Sequence, residues 1–178
     1  MAYKVSKVSP SSLAATETCP RFRPDGKEND AAAEGTLLHE CLEEMVSVPQ
    51  GQWPSWIATR ELSAEHKSLL EEAANQLQSI LMGWTDYTVY TDFRLKMRNG
   101  KPRKAKLRPG LYPECEIERG QGRHGYIDLM IVKPDGFVII IDYKMVRVMH
   151  DYELQLGAYA CDVNRICPSH EEFECRIV

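Results

Sequence analysis

The sequence has no apolar run that approaches the ~20 residues needed to cross a membrane. Its N-terminus also lacks the basic segment followed by an apolar stretch that is typical of a secretion signal. With only 11 Gly and 10 Pro in 178 residues, and 43% apolar residues, the composition is not that of a disordered or fibrous chain. We therefore expect one globular domain over residues 1–178, located in the cytoplasm and without a membrane partner.

The chain also lacks an excess of basic residues, because 22 Lys and Arg stand against 26 Asp and Glu and the formal net charge is -4. This average hides residues 94–108, here named the basic arm, which hold eight basic residues and no acidic one. The rest of the chain has 14 basic residues against 26 acidic ones, a net charge of about -12. Such an arm can be a solvated hairpin or loop, or it can bind the phosphates of DNA or RNA. The candidate nucleic-acid-binding residues are Arg94, Lys96, Arg98, Lys101, Arg103, Lys104, Lys106 and Arg108.

Hydrophobic periodicity and capping residues predict four helices, at about 11–17, 31–48, 63–82 and 150–163. Alternating or continuous apolar segments predict strands, at 86–97, 112–118, 125–132, 137–141 and 173–178. Residues 137–141 contain no polar side chain, which predicts a central strand buried on both faces. Residues 133–136 read Lys-Pro-Asp-Gly and predict the turn of an antiparallel hairpin. The order of elements predicts an α/β or α+β fold, with helices flanking a mixed sheet.

Two carboxylates are expected to meet at one end of this sheet. Asp142 and Lys144 share a face of their strand because side chains alternate, and Asp128 lies on the neighbouring antiparallel strand. Converging carboxylates repel each other unless a cation lies between them. Oxygen ligands suit Mg²⁺ or Mn²⁺, and a nearby lysine can stabilise charge that develops on a phosphate. The alternative is a strand that simply ends in surface charges.

Four motifs in order along the chain then carry a resemblance to a known family. They are Gly35-Thr36-x-x-His39, Gly125-x-x-Asp128, Asp142-x-Lys144 and Gln155-x-x-x-Tyr159. Over residues 9–160 the chain resembles the PD-(D/E)XK nuclease superfamily, and most closely its RecB-type branch of phage and CRISPR-associated exonucleases. The resemblance implies a restriction-endonuclease-like α/β core with a mixed central β-sheet flanked by α-helices.

The same resemblance implies roles for individual residues. One or two Mg²⁺ or Mn²⁺ ions would be held by His39, Asp128, Asp142 and the backbone carbonyl of Tyr143. Lys144 would be catalytic, and Gln155 and Tyr159 would organise the site or contact DNA. We also expect Gly35 to let another backbone approach closely.

The expected function is hydrolysis of phosphodiester bonds by a metal-dependent deoxyribonuclease. The branch implies an exonuclease that acts on DNA ends during recombination or replication of a phage or mobile element, together with other recombination or replication proteins. One alternative is a catalytically silent nucleic-acid-binding module of a recombination complex, and another is a structural domain with a coincidental motif set. The complete set of Asp128, Asp142 and Lys144 argues against a silent module, since binding alone does not require it.

Two further features of the sequence concern cysteines and acids. Some RecB-type proteins hold an iron–sulfur cluster on one upstream and three downstream cysteines, an arrangement that Cys19, Cys161, Cys167 and Cys175 imitate. The close C-x-x-C spacing of such clusters is absent, so we expect reduced structural thiols and no cluster. On the predicted strand before Asp128, we consider Glu116 a candidate additional acid.

Overall fold

The computed structural model describes residues 30–98, 101–102, 106–120, 123–144, 153–170 and 172–178. The helix predicted near residues 11–17 lies outside these ranges. The α-helices are α1 (Asp30–Val46), α2 (Trp53–Thr59), α3 (Ala64–Leu81) and α4 (Glu153–Ile166), with a 3₁₀ turn at Gln50–Gln52. The strands are β1 (Arg94–Arg98), β2 (Lys101–Pro102), β3 (Gly110–Gly120), β4 (Arg123–Val132), β5 (Val138–Asp142) and β6 (Phe173–Ile177).

The strands form a mixed sheet in the order β2-β1-β3-β4-β5-β6. The pairs β1–β3 and β5–β6 are parallel, and the other neighbouring pairs are antiparallel. Every residue of β5 is buried, which confirms the prediction of a central strand. The predicted turn between β4 and β5 is also confirmed. Gly136 there has a φ of 92°, and its amide donates to the Lys133 carbonyl at 3.0 Å.

Helices cover both faces of the sheet. The helices α1, α2 and α3 pack on one face, where their side chains such as Leu42 and Leu77 share one hydrophobic cluster with Ile131 and Ile141 of the sheet. On the other face α4 packs against the sheet through Leu156 and other apolar residues. The predicted fold class is confirmed as a restriction-endonuclease-like α/β fold. None of the helices within the described ranges has both the length and the apolar character of a membrane span.

The two long N-terminal helices follow their local sequence signals. Ser63 caps α3, because its hydroxyl accepts a 3.1 Å hydrogen bond from the His66 amide. In α1, Leu38, Leu42 and Met45 are buried against the core, whereas the neighbouring Leu37 remains 39% exposed. Both helices were predicted to within two residues at each end.

Besides α4, which ends at Ile166 rather than at residue 163, two elements differ from the predictions. The strand predicted over residues 86–97 begins only at Arg94, because the chain makes a turn at residues 91–92 where Asp92 has a φ of 55°. Before this turn, Val89 forms only an isolated bridge with Leu111. The short helix α2 was not predicted. It buries Trp53 and Ile57 and has Pro54 in its first turn, a position that proline favours.

Candidate active site

The peptide groups of Tyr143, directly after β5, connect two of the predicted site residues. The Tyr143 amide donates a 2.7 Å hydrogen bond to Asp128 Oδ2 on β4. Its carbonyl oxygen lies 3.1 Å from His39 Nε2 on α1. Because a carbonyl can only accept, Nε2 carries the proton and a neutral His39 has its lone pair on Nδ1. This Nδ1 lies 3.6 Å from Asp128 Oδ2, so His39 and Asp128 converge.

Glu114 on β3 is the third member of this group. The register between β3 and β4 pairs Pro113 with Leu129 and Cys115 with Ile127, which places Glu114 directly across from Asp128. One ligand atom from each of His39, Glu114 and Asp128 lies within 4.8 Å of the other two. We name these three residues the metal cluster.

The predicted additional acid, Glu116, is engaged elsewhere. Its carboxylate is buried and lies 2.9 Å from Arg94 Nε on β1, so it forms an ion pair. Regular alternation puts Glu114 and Glu116 on one face of β3, and the sequence therefore gave no reason to prefer Glu114. The backbone at Glu114 has a φ of 45°, a left-handed conformation that few non-glycine residues adopt and that sequence spacing does not reveal.

A cavity of about 540 Å³ opens beside the metal cluster. Its lining residues come from α1 and β3 and are Gly35, Thr36, His39, Glu40, Glu43 and Glu114. Apart from its chain neighbours and the backbone of its own helix, no described atom lies within 4 Å of the position that a Cβ on Gly35 would occupy. Contrary to our expectation, Gly35 therefore does not accommodate a neighbouring backbone within the described part of the chain, but borders open space.

Negative charge accumulates around this cavity. Burial and repulsion from Asp128 and Glu43 raise the pKa of Glu114 to about 7. The pKa of Asp128 is raised to about 6, mainly by burial, with repulsion from Asp142 adding to the effect and His39 opposing it. The pKa of Glu43 is also raised, by burial and by neighbouring acids. Carboxylates in this environment gain most from a cation.

The donors of the metal cluster fit a divalent metal ion. They offer one imidazole nitrogen and two carboxylates. Mn²⁺ binds both kinds of ligand, whereas Mg²⁺ would be held mainly by the carboxylate oxygens. Ligands at roughly 2.1 Å from one ion lie up to about 4.2 Å from each other. The present separation of up to 4.8 Å thus needs only small side-chain rotations. The Tyr143 carbonyl, expected as a ligand, accepts from His39 here and retains a second lone pair.

Asp142, Lys144 and Gln155 form a second group beyond Tyr143. Asp142 is 3% exposed at the end of β5, and Lys144 Nζ lies 2.6 Å from its Oδ2. Gln155, in the first turn of α4, donates a 2.9 Å hydrogen bond to Asp142 Oδ1. Asp142 is not part of the metal cluster, although its charge contributes to the raised pKa of Asp128. Its ligation of a metal ion stays a prediction.

The remaining predicted residues lie around these two groups. Tyr159, one turn after Gln155, is buried between α4 and the sheet. Strands β1 and β2, both within the basic arm, pair antiparallel, as in the hairpin that was one of the two possibilities for this arm. In that arm, Arg94, Lys96, Lys106 and Arg108 are exposed. Arg103 and Lys104 lie outside the described residues, as do the side chains of Arg98 and Lys101.

The cysteines are distributed over the domain. All five described cysteines are free, with Cys41, Cys115 and Cys167 buried in the core and Cys161 and Cys175 exposed. The metal cluster contains no cysteine. Cys19 lies outside the described ranges, so the expectation that no iron–sulfur cluster is present stays a prediction.

Fold and site together define a class of protein. A mixed sheet flanked by helices presents acids that can hold a divalent ion beside a lysine. These are the groups that a metal-dependent phosphodiester hydrolase requires. The family model of the PD-(D/E)XK nuclease superfamily matches residues 7–169, and the chain belongs to this superfamily. Membership implies a metal-dependent nuclease with DNA as its substrate. No curated protein and no solved structure matches the chain significantly.

Proposed function

We propose that the protein is a Mg²⁺- or Mn²⁺-dependent deoxyribonuclease of the RecB-type branch. In this proposal it is an exonuclease that degrades DNA from its ends during recombination or replication of a phage or mobile element. The observation that carries the proposal is the position of Tyr143, whose peptide groups contact His39 and Asp128 while the adjacent Asp142 and Lys144 form an ion pair. A metal cluster and a lysine are thereby held within one short segment of backbone.

The residues divide the chemistry of phosphodiester hydrolysis between them. His39, Glu114 and Asp128 would hold the ion, and the Tyr143 amide fixes the orientation of the Asp128 carboxylate. When bound, a divalent ion neutralises the scissile phosphate and the leaving oxygen. We assign to Lys144 the stabilisation of charge on the phosphate while water attacks phosphorus and the bond to the leaving oxygen breaks.

Action on ends follows from the resemblance to the RecB-type branch, and the cavity beside the metal cluster can accept a terminal nucleotide. A volume of about 540 Å³ lies in the range of sites for one small ligand, such as a terminal nucleotide. The motif that contains His39 borders this cavity and is one of the four motifs that together resemble the RecB-type branch.

The second candidate is the silent nucleic-acid-binding module. It is favoured by the contacts of the Asp142 carboxylate, since Lys144 lies against Oδ2 and Gln155 donates to Oδ1. These two contacts hold the carboxylate apart from the metal cluster. In this reading the acids maintain the fold, and the basic arm binds DNA without cleavage.

Degradation assays separate the two candidates. Linear and covalently closed DNA are incubated with Mg²⁺, Mn²⁺ or EDTA, and the proposal expects metal-dependent loss of the linear form alone. Cleavage of covalently closed DNA would show that the protein is an endonuclease and not an exonuclease. Binding without cleavage in either metal would establish the silent module.

Matched variants assign the activity to the site. We expect Asp128→Asn and Lys144→Ala each to lower the degradation rate at least 100-fold. The first removes a charged ligand of the ion, and the second removes the charge that stabilises the reacting phosphate. The controls are Asp86→Asn and Lys67→Ala, which change the same residue types at exposed or partly exposed positions outside the site. Equal rates for Lys144→Ala and Lys67→Ala would contradict the assignment.

A further inference from the structure

Tyr126 on β4 is an exposed aromatic residue close to the metal cluster. Its side chain is 50% exposed, and it is the only large aromatic residue left exposed among the side chains that the structure describes. The buried Ile127 separates it from Asp128. Because side chains alternate along a strand, Tyr126 and Asp128 share one face of the sheet, about 7 Å apart along β4. The phenol ring is therefore one strand repeat away from the metal cluster.

A row of three side chains crosses the sheet at this level. Tyr126 is the register partner of Glu116 on β3, and Glu116 is the register partner of Arg94 on β1. The Glu116 carboxylate is buried and its charge is compensated by Arg94. The Arg94 side chain remains 59% exposed, and its Nε lies 2.9 Å from Glu116 Oε2. A guanidinium has five N–H groups, so Arg94 has further donors for a phosphate.

The composition of this row matches the parts of a nucleotide. Aromatic rings bind unpaired bases by stacking, and arginine donors bind the phosphates that connect them. The next residue along the same face of β1, Lys96, is exposed and adds a second cation. The row lies beside the residues that would hold the ion, within reach of a nucleotide next to a scissile phosphate at that ion.

We infer that Tyr126 is a base-stacking residue that holds an unpaired nucleotide next to the scissile phosphate, with Arg94 contacting the backbone of that nucleotide. The inference rests on the proposed nuclease function and makes it more specific. Since a base inside a duplex offers no free face, the site takes single-stranded ends or ends that have frayed. Every base has an aromatic face, so this contact discriminates between single-stranded and paired DNA but not between sequences.

A binding experiment in EDTA tests this site independently of cleavage. The affinity of a labelled single-stranded oligonucleotide is measured by fluorescence anisotropy for the wild type, Tyr126→Ala, Tyr126→Phe and the control Met82→Ala. Loss of one stacked base lowers affinity about 5- to 150-fold, and we expect this loss for Tyr126→Ala alone. Tyr126 and Met82 are both exposed, so neither substitution opens a cavity in the core.

A series of oligonucleotides with a single abasic site completes the test. At one position of the oligonucleotide, the missing base should weaken binding of the wild type as much as Tyr126→Ala does. The same missing base should not weaken binding of the Tyr126→Ala variant any further. Binding of Tyr126→Ala within twofold of the wild type, or equal abasic penalties in both proteins, would overturn the inference. If the missing base and Tyr126→Ala are coupled in this way but no metal-dependent cleavage occurs, the stacking inference stands and the nuclease proposal is refuted. Metal-dependent cleavage without this coupling would support the nuclease proposal and refute the stacking inference.

Discussion

The backbone amide of Tyr143 donates a 2.7 Å hydrogen bond to Oδ2 of Asp128, although the two residues are 15 positions apart. The carbonyl of the same residue contacts His39 Nε2 at 3.1 Å, and the ring of His39 meets the edge of the Tyr143 ring at a centroid distance of 5.9 Å. The orientations of His39 and Asp128 within the metal cluster are thus fixed by contacts with backbone groups. Such groups keep their position when the surrounding side chains change.

Glu114 gives a prediction about stability and pH. Its pKa is raised from 4.5 to about 7 in the folded protein, so the folded state retains a proton that the unfolded state releases. The stability that this group contributes is present below about pH 4.5 and is lost as the pH rises to about 7. Because the site is partly open to solvent, we expect Glu114→Gln to be more stable than the wild type by only about 1 to 2 kcal/mol at pH 8.

Thermal unfolding in EDTA at pH 5 and pH 8 measures this difference. The advantage of Glu114→Gln should grow with pH and should reverse when Mn²⁺ is added, since the variant lacks a ligand and gains less from the ion. Glu116→Gln is the matched control, because it removes the carboxylate that pairs with Arg94 and leaves the metal cluster intact. An advantage of Glu114→Gln that shrinks as the pH rises would contradict the assigned electrostatics.

Gln155 gives a second prediction. Its side chain is buried and donates to Asp142 Oδ1, so Gln155→Leu leaves a buried carboxylate oxygen without its donor. We expect a loss of about 1 to 3 kcal/mol in the free energy of unfolding, together with slower DNA degradation. Denaturant unfolding checks the first effect, and Gln76→Leu, at an exposed position on α3, is the control. A variant as stable and as active as the control would show that Gln155 does not orient Asp142.

The basic arm gives a third prediction. Replacing Lys101, Arg103, Lys104 and Lys106 by alanine should weaken DNA binding and make it less sensitive to salt. Each lost phosphate contact on single-stranded DNA lowers the slope of log K against log salt by about 0.7, so the slope should fall by up to about 3. The control neutralises Arg60, Lys67, Arg165 and Arg176, which lie outside the arm. Equal slopes for both variants would show that the arm contributes only general charge.

The parts of the fold that the sequence predicted are those with local signals. The N-cap at Ser63, the apolar stripe of α1 and the turn ending at Gly136 each act within a few residues, and the structure contains all three. The helix α2 has only seven residues, too few for a clear periodicity, and owes its stability to buried Trp53 and Ile57. Its existence depends on the core that it covers.

The site was predictable to a similar extent. Strand alternation places Asp142 beside Lys144, and the two side chains do pair. Glu114 was missed because its part in the metal cluster depends on the register with β4 and on its left-handed backbone. The contact of Gln155 with Asp142 likewise depends on how α4 packs against the sheet. Neither arrangement can be read from spacing along one strand or helix.

The location of a bound Mn²⁺ ion tests the central claim most directly. Crystals grown or soaked with Mn²⁺ would reveal the ion by its anomalous scattering. The account predicts a peak within ligand distance of His39 Nδ1 and of the carboxylates of Glu114 and Asp128. A peak held by other residues without these three, or no peak at a Mn²⁺ concentration that supports DNA degradation, would contradict it.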